Sequence, residues 1–67
     1  MAEMSLQEYV EVYKQPKAAE ELGMHQTGIS HAILAGREIY VDVGHKGKIK
    51  GAYEIKGVGR FRLRLKK

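Results

Sequence analysis

The sequence predicts an α+β fold, with short helices first and a small antiparallel sheet after them. Two observations carry the prediction. Apolar residues recur at helical spacing as far as Gly36 and at a spacing of two beyond it. Before that change, two helix-forming runs are separated only by a short link that begins at Gly23.

The first helix is expected over residues 6–13. Ser5 is its N-cap, and Glu8, three residues on, is the capping-box partner. Leu6, Tyr9, Val10 and Tyr13 share one face at spacings of three and four. Tyr9 and Tyr13 read as core residues whose hydroxyls reach the surface. Glu8 and Glu11 fall on the solvated side. Residues 4–6 either form a short strand or simply lead into this helix.

Two more helices follow within residues 15–36. Ala18, Ala19, Glu20, Glu21 and Leu22 are good helix formers. Pro16 suits a first turn, where its missing N–H has no partner anyway. Gly23 ends this run, because a residue without Cβ adopts the left-handed backbone of a helix terminus. Residues 26–35 form the next run, and Gly36 ends it the same way. So short a link makes the two helices cross steeply, which is the helix-turn-helix arrangement. Ala19 is small where the second helix approaches, and Leu22, Ile29 and Ile33 point inward. Gln26, Thr27, Ser30 and His31 then share the exposed face. All four donate or accept hydrogen bonds. A face without Lys or Glu suits reading base edges in a major groove. An ordinary helical hairpin with a neutral polar face is the alternative.

Strands follow. Ile39, Val41 and Val43 alternate with Glu38, Tyr40 and Asp42, which reads as a half-buried strand. Residues 44–47 form a hairpin turn, its two glycines able to take positive φ. Residues 48–55 return as the second strand, with a bulge expected at Gly51. Phe61, Leu63 and Leu65 then alternate with Arg60, Arg62, Arg64 and Lys66. Residues 1–59 are therefore read as one domain, and residues 60–67 as a basic arm or an extra strand.

Charge is divided unevenly. Residues 1–43 hold three basic and seven acidic side chains; residues 44–67 hold nine basic ones and only Glu54. Attraction for a polyanion must come mainly from the C-terminal third. A solvated basic tail kept for solubility is the alternative. A chain of 67 residues with no cysteine has neither a disulfide staple nor a thiolate metal site. A domain this small leaves part of its core to be supplied by a second subunit. No apolar run approaches the length of a membrane span and no signal peptide is evident, so a cytoplasmic protein is expected. His25, His31 and His45 have no ligand partners at metal spacing. Glu20 and Glu21 are adjacent and point apart. No enzyme, cofactor, metal or small-molecule ligand is expected.

The run AxxLGxxQxxIxxAIxAGRxI, at Ala19, Leu22, Gly23, Gln26, Ile29, Ala32, Ile33, Ala35, Gly36, Arg37 and Ile39, carries a specific resemblance. Over about residues 5–56 the chain resembles the Cro repressors of lambdoid phages. The resemblance implies three helices packed on a small antiparallel sheet. It implies a homodimer formed by pairing the last strand of each subunit, here around residues 50–55. It also implies a repressor that binds double-stranded operator DNA in the bacterial host. By position, Gln26, Thr27, Ser30 and His31 face the bases, with His25 at the helix start. Gln15 and Arg37 match positions that contact phosphates; Lys17, Arg60, Arg62, Arg64, Lys66 and Lys67 are candidates by charge. Lys50, Ala52, Tyr53, Glu54, Ile55, Val58 and Phe61 are the expected dimer residues.

The chain departs from the family pattern in several places. Ser30 and His31 stand where the pattern has Asn and Lys, so a different operator is expected. Glu38 replaces a lysine after Arg37. The tail lacks a Pro-Phe-Pro run; Val58 takes the matching place, with Phe61 three residues on. Two other functions compete with the repressor. One is a protein-interaction module; the other is a non-specific nucleic-acid binder using the basic tail, which requires stacking aromatics on a sheet or groove.

Overall fold

The structure is a computed structural model that describes residues 2–63 and residue 65. The order of elements is β1 (Ala2–Ser5), α1 (Leu6–Leu22), α2 (Gln26–Leu34), β2 (Glu38–Val43), β3 (Ile49–Lys56) and β4 (Gly59–Arg62), with one turn of 3-10 helix, His45–Gly47, between β2 and β3. The α+β architecture agrees with the expectation; the number of helices does not, and the helices do not come first, because residues 2–5 form a strand before Leu6 begins α1. Two helices are present rather than three, because residues 6–22 form a single 17-residue element. The break expected after Tyr13 is confined to one residue. Lys14 has φ 76° and ψ 163°, outside the helical region. The cause lies two residues on: Pro16 has no N–H for the Val12 carbonyl, and its ring clashes with it. A kink at Lys14 places Pro16 in a first turn, where both problems vanish.

The start of α1 is built as its sequence requires. The Ser5 hydroxyl accepts from the Glu8 N–H at 3.1 Å, and the Glu8 carboxylate accepts from the Ser5 N–H at 3.2 Å. Substitution of such a cap by alanine costs about 1 kcal/mol.

Four antiparallel strands lie in chain order, β1-β2-β3-β4. Ile39, Val41 and Val43 are buried on one face with Ile49 and Ala52. Helix residues Leu6, Tyr9, Ala18, Ala19, Leu22, Ile29 and Ala32 complete that core, so both helices lie on the same side of the sheet. Pairing of Asp42 with Gly51, but of Val43 with Ile49, leaves Lys50 as the extra residue of a bulge beside Gly51. Gly44 does not take positive φ in the hairpin turn; Lys46 (φ 58°) and Gly47 (φ 78°) do. Gly47 is also needed for space, since a Cβ there would lie 2.6 Å from the Tyr13 ring.

Two polar anchors tie helix to sheet. The wholly buried Tyr9 donates its hydroxyl to the Gly47 carbonyl. Burial, with the nearby Glu21 carboxylate second, pushes its phenol up to about 12. Glu21, buried on α1, accepts from the Ile49 N–H at 3.1 Å and from Lys17 Nζ at 3.3 Å.

The strand expected to pair two subunits is not the edge of this sheet. Residues 53–56 of β3 pair with β4, and the Leu63 N–H extends the ladder to the Ala52 carbonyl at 3.0 Å. β2 fills the other side of β3. The free edges belong to β1 and β4.

Candidate nucleic-acid interface

Gly23 ends α1 at φ 68°, and Met24 N–H returns to the Ala19 carbonyl at 2.9 Å. His25 is extended, at φ −76° and ψ 151°, and leads directly into α2. The whole link is three residues long, so α2 must cross α1 where Ala19 and Leu22 are buried with Ile29 and Ala32. This crossing leaves one side of α2 in solvent. Gln26, Thr27 and His31 are exposed there, and Ser30 is half-buried. No residue of α2 is a lysine, arginine, aspartate or glutamate.

Ser30 is not an independent reader. Its hydroxyl donates to Gln15 Oε1 at 3.1 Å, across the two helices. The bond fixes the Ser30 rotamer and turns the Gln15 amide to a defined side of the unit. Gln15 comes directly after the kink, so the Lys14 backbone places it beside α2.

Arg37, expected at a phosphate, has an ion-pair partner within the chain. Its N–H bonds the Ala32 carbonyl at 3.1 Å, one turn past α2. Its guanidinium grips Glu54 through two hydrogen bonds, Nε at 2.8 Å and Nη2 at 2.7 Å. That bidentate bond holds the Glu54 carboxyl below the ordinary carboxylate range, while Glu54 raises the arginine pKa further. Two of the guanidinium donors are therefore already used within the chain. Lys17 is likewise paired, with Glu21 at i+4.

The tail cations and the expected dimer residues divide by strand face. Ala52 and Glu54 are buried on the helix side. Tyr53 and Ile55, with Arg60 and Arg62 opposite them on β4, belong to the face without helices. Arg60 sits 5.1 Å over the Tyr53 ring, Tyr53 stacks on Tyr40 at 5.6 Å, and its hydroxyl donates to Glu3. A shallow groove there is lined by Glu3, Asp42, Lys50, Tyr53, Arg60 and Arg62. Its charges are mixed, and the Tyr53 ring already has Tyr40 and Arg60 as neighbours. Lys50 is exposed beside the bulge; Val58 and Phe61 are exposed in and after the β3–β4 turn. The phosphate contacts expected of Arg64, Lys66 and Lys67 lie outside the described residues. Sequence reading missed Leu34, 83 % exposed at the end of α2. Extending the exposed stripe by one turn would have found it.

Among the described residues, no three His, Cys, Asp or Glu side chains gather where they could hold a metal. No helix among the described residues is long and apolar enough to cross a membrane.

Two helices packed on each other and joined by a three-residue link that begins at Gly23, the second with an uncharged polar face, define a helix-turn-helix protein with a small sheet behind it. The Cro family model matches residues 1–60. A solved structure, the Cro protein from prophage Pfl 6 in Pseudomonas fluorescens Pf-5, is 32% identical and superposes with a TM-score of 0.72 over 87% of this chain and 97% of that one. The chain belongs to the Cro family, a family of bacteriophage DNA-binding transcription regulators rather than enzymes.

Proposed function

We propose that this chain is a sequence-specific repressor that lays α2 in the major groove of duplex operator DNA. The observation that carries the reading is the α2 stripe: Gln26, Thr27, Ser30 and His31 on one solvent side, with no charged residue to blur hydrogen-bond selection. Gln26 and Thr27, in the first turn, reach furthest toward base edges. An amide at Gln26 both donates and accepts, as an adenine edge requires. Gln15 serves as a strut, holding Ser30 through its carbonyl oxygen while its amide N–H groups reach a phosphate.

The working unit in this reading is a two-fold dimer on a pseudo-palindromic site. One nine-residue helix spans only a few base pairs, and two such helices about 34 Å apart match one turn of DNA. With the edge of β3 filled, the second copy pairs along β4, where Phe61 is 54 % exposed and Val58 fully so. Phosphate charge is met by cations outside α2, including those of the C-terminal tail.

Selection of binding sites from random duplexes, followed by gel-shift competition against random DNA, tests the reading. The expected result is a two-half-site consensus bound at least about 1,000-fold more tightly than random duplex. Equal affinity for both would leave a non-specific binder, and no binding to either would leave a protein-interaction module.

A further inference from the structure

The exposed side of α2 includes one residue that hydrogen-bond reading does not explain. Leu34 is 83 % exposed. At about 100° per residue it lies about 80° around the helix from Gln26, between Ser30 at about 40° and Thr27 at about 100°. It is therefore at the centre of the stripe. The inward side of the helix is complete without it, through Ile29, Ala32 and the half-buried Ile33. A leucine so exposed contributes almost no burial energy, and it is the apolar member of an otherwise polar stripe. Along the axis, Leu34 is eight residues beyond Gln26, about 12 Å at 1.5 Å per residue. That distance is about three to four base-pair steps of 3.4 Å.

Resting on the major-groove reading above, we propose that Leu34 is a specificity-determining residue that packs on the C5-methyl group of a thymine, three to four base pairs from the pair met by Gln26. The thymine methyl is the apolar group of the major-groove edge, and an aliphatic side chain recognises it by contact alone. A phosphate offers a leucine neither charge nor a donor. Continuity with the Gln26, Thr27, Ser30 and His31 stripe assigns the side chain to the groove rather than to another protein.

Uracil tests this cleanly, since it differs from thymine only by that methyl. The wild-type protein and Leu34→Ala are titrated against the selected duplex and against duplexes with each thymine in turn replaced by uracil. One uracil position per half-site should weaken the wild type about fourfold, the value of one buried methyl group. Leu34→Ala should bind the thymine and uracil duplexes at that position equally. A selected half-site without a thymine there, or a thymine preference that survives in Leu34→Ala, overturns the inference while leaving sequence-specific binding intact. An unchanged thymine preference with a weakened dimer assigns Leu34 to a second copy and also overturns it. Absence of sequence-specific binding overturns the repressor reading and this inference with it.

Discussion

Replacing Lys14 by glycine should make the protein more stable. Lys14 holds φ 76° and ψ 163°, a backbone region that is essentially glycine's own and costs other residues about 1–3 kcal/mol. Glycine removes that strain and adds about 0.5–1 kcal/mol of unfolded-state entropy. It also removes an exposed 3.3 Å bond from Lys14 Nζ to the Glu11 carbonyl, worth at most a few tenths of a kcal/mol in water. The balance is a gain of about 1 kcal/mol, or about 4–8 °C in melting temperature for a domain of this size. Lys14→Ala is the control, since it loses the same bond and charge but keeps the strain. Urea unfolding of the three proteins gives the answer, provided the slopes agree. The account predicts Gly above wild type and Ala at or below it. Equal midpoints for Gly and Ala would refute the reasoning, because the kink would then carry no side-chain strain.

Other perturbations follow from the same geometry. Glu54→Gln should flatten the acid limb of stability: a carboxyl held below its ordinary range by Arg37 stabilises above that range and loses its contribution as pH falls through the lowered value. Melting temperatures at pH 6 and pH 3 check this, and the wild type should lose more than the variant. Gly47→Ala should cost about 2 kcal/mol or more, since it combines φ 78° with a Cβ 2.6 Å from the Tyr13 ring; urea midpoints measure the loss. Arg62→Pro should weaken the dimer without unfolding the chain. The Leu63 N–H faces β3, so by alternation that of Arg62 faces the open edge, where proline removes a donor. Sedimentation of Arg62→Pro beside Arg62→Gln separates the ladder from the charge.

Much of the fold was legible because it rests on local chemistry. The Ser5–Glu8 box and the Gly23 and Gly36 termini depend on residues within a few positions of one another, whereas the bulge expected at Gly51 falls on its neighbour Lys50, because the pairing with β2 sets it. The change of period from 3.6 to 2 at Gly36 marked the start of β2, but β1 lies before the helices, where no period-2 run announced it. What was not legible is tertiary. Pro16 announced a break, but the chain absorbed it in one residue, so two helices stand where three were expected. Period 2 told the faces of residues 59–62 but not their neighbour, and β4 covers the β3 edge expected to pair subunits. The site divided in the same way. The exposure of Gln26, Thr27 and His31 on one side of α2 was legible from spacing alone. The Ser30–Gln15 bond spans 15 residues and the Arg37–Glu54 grip spans 17, and no periodicity reveals either. Leu34 was missed because apolar residues at helical spacing are ordinarily assigned inward.

Whether α2 reads bases is decided at Gln26. It is exposed in the first turn of α2, so truncation removes its hydrogen-bonding amide without disturbing the core. Gln26→Ala and the wild type are titrated against the selected duplex and against random duplex at one salt concentration. A loss of about 1–3 kcal/mol on the selected site, with random binding nearly unchanged, is the predicted result. Equal losses on both duplexes, or no loss on either, would contradict it.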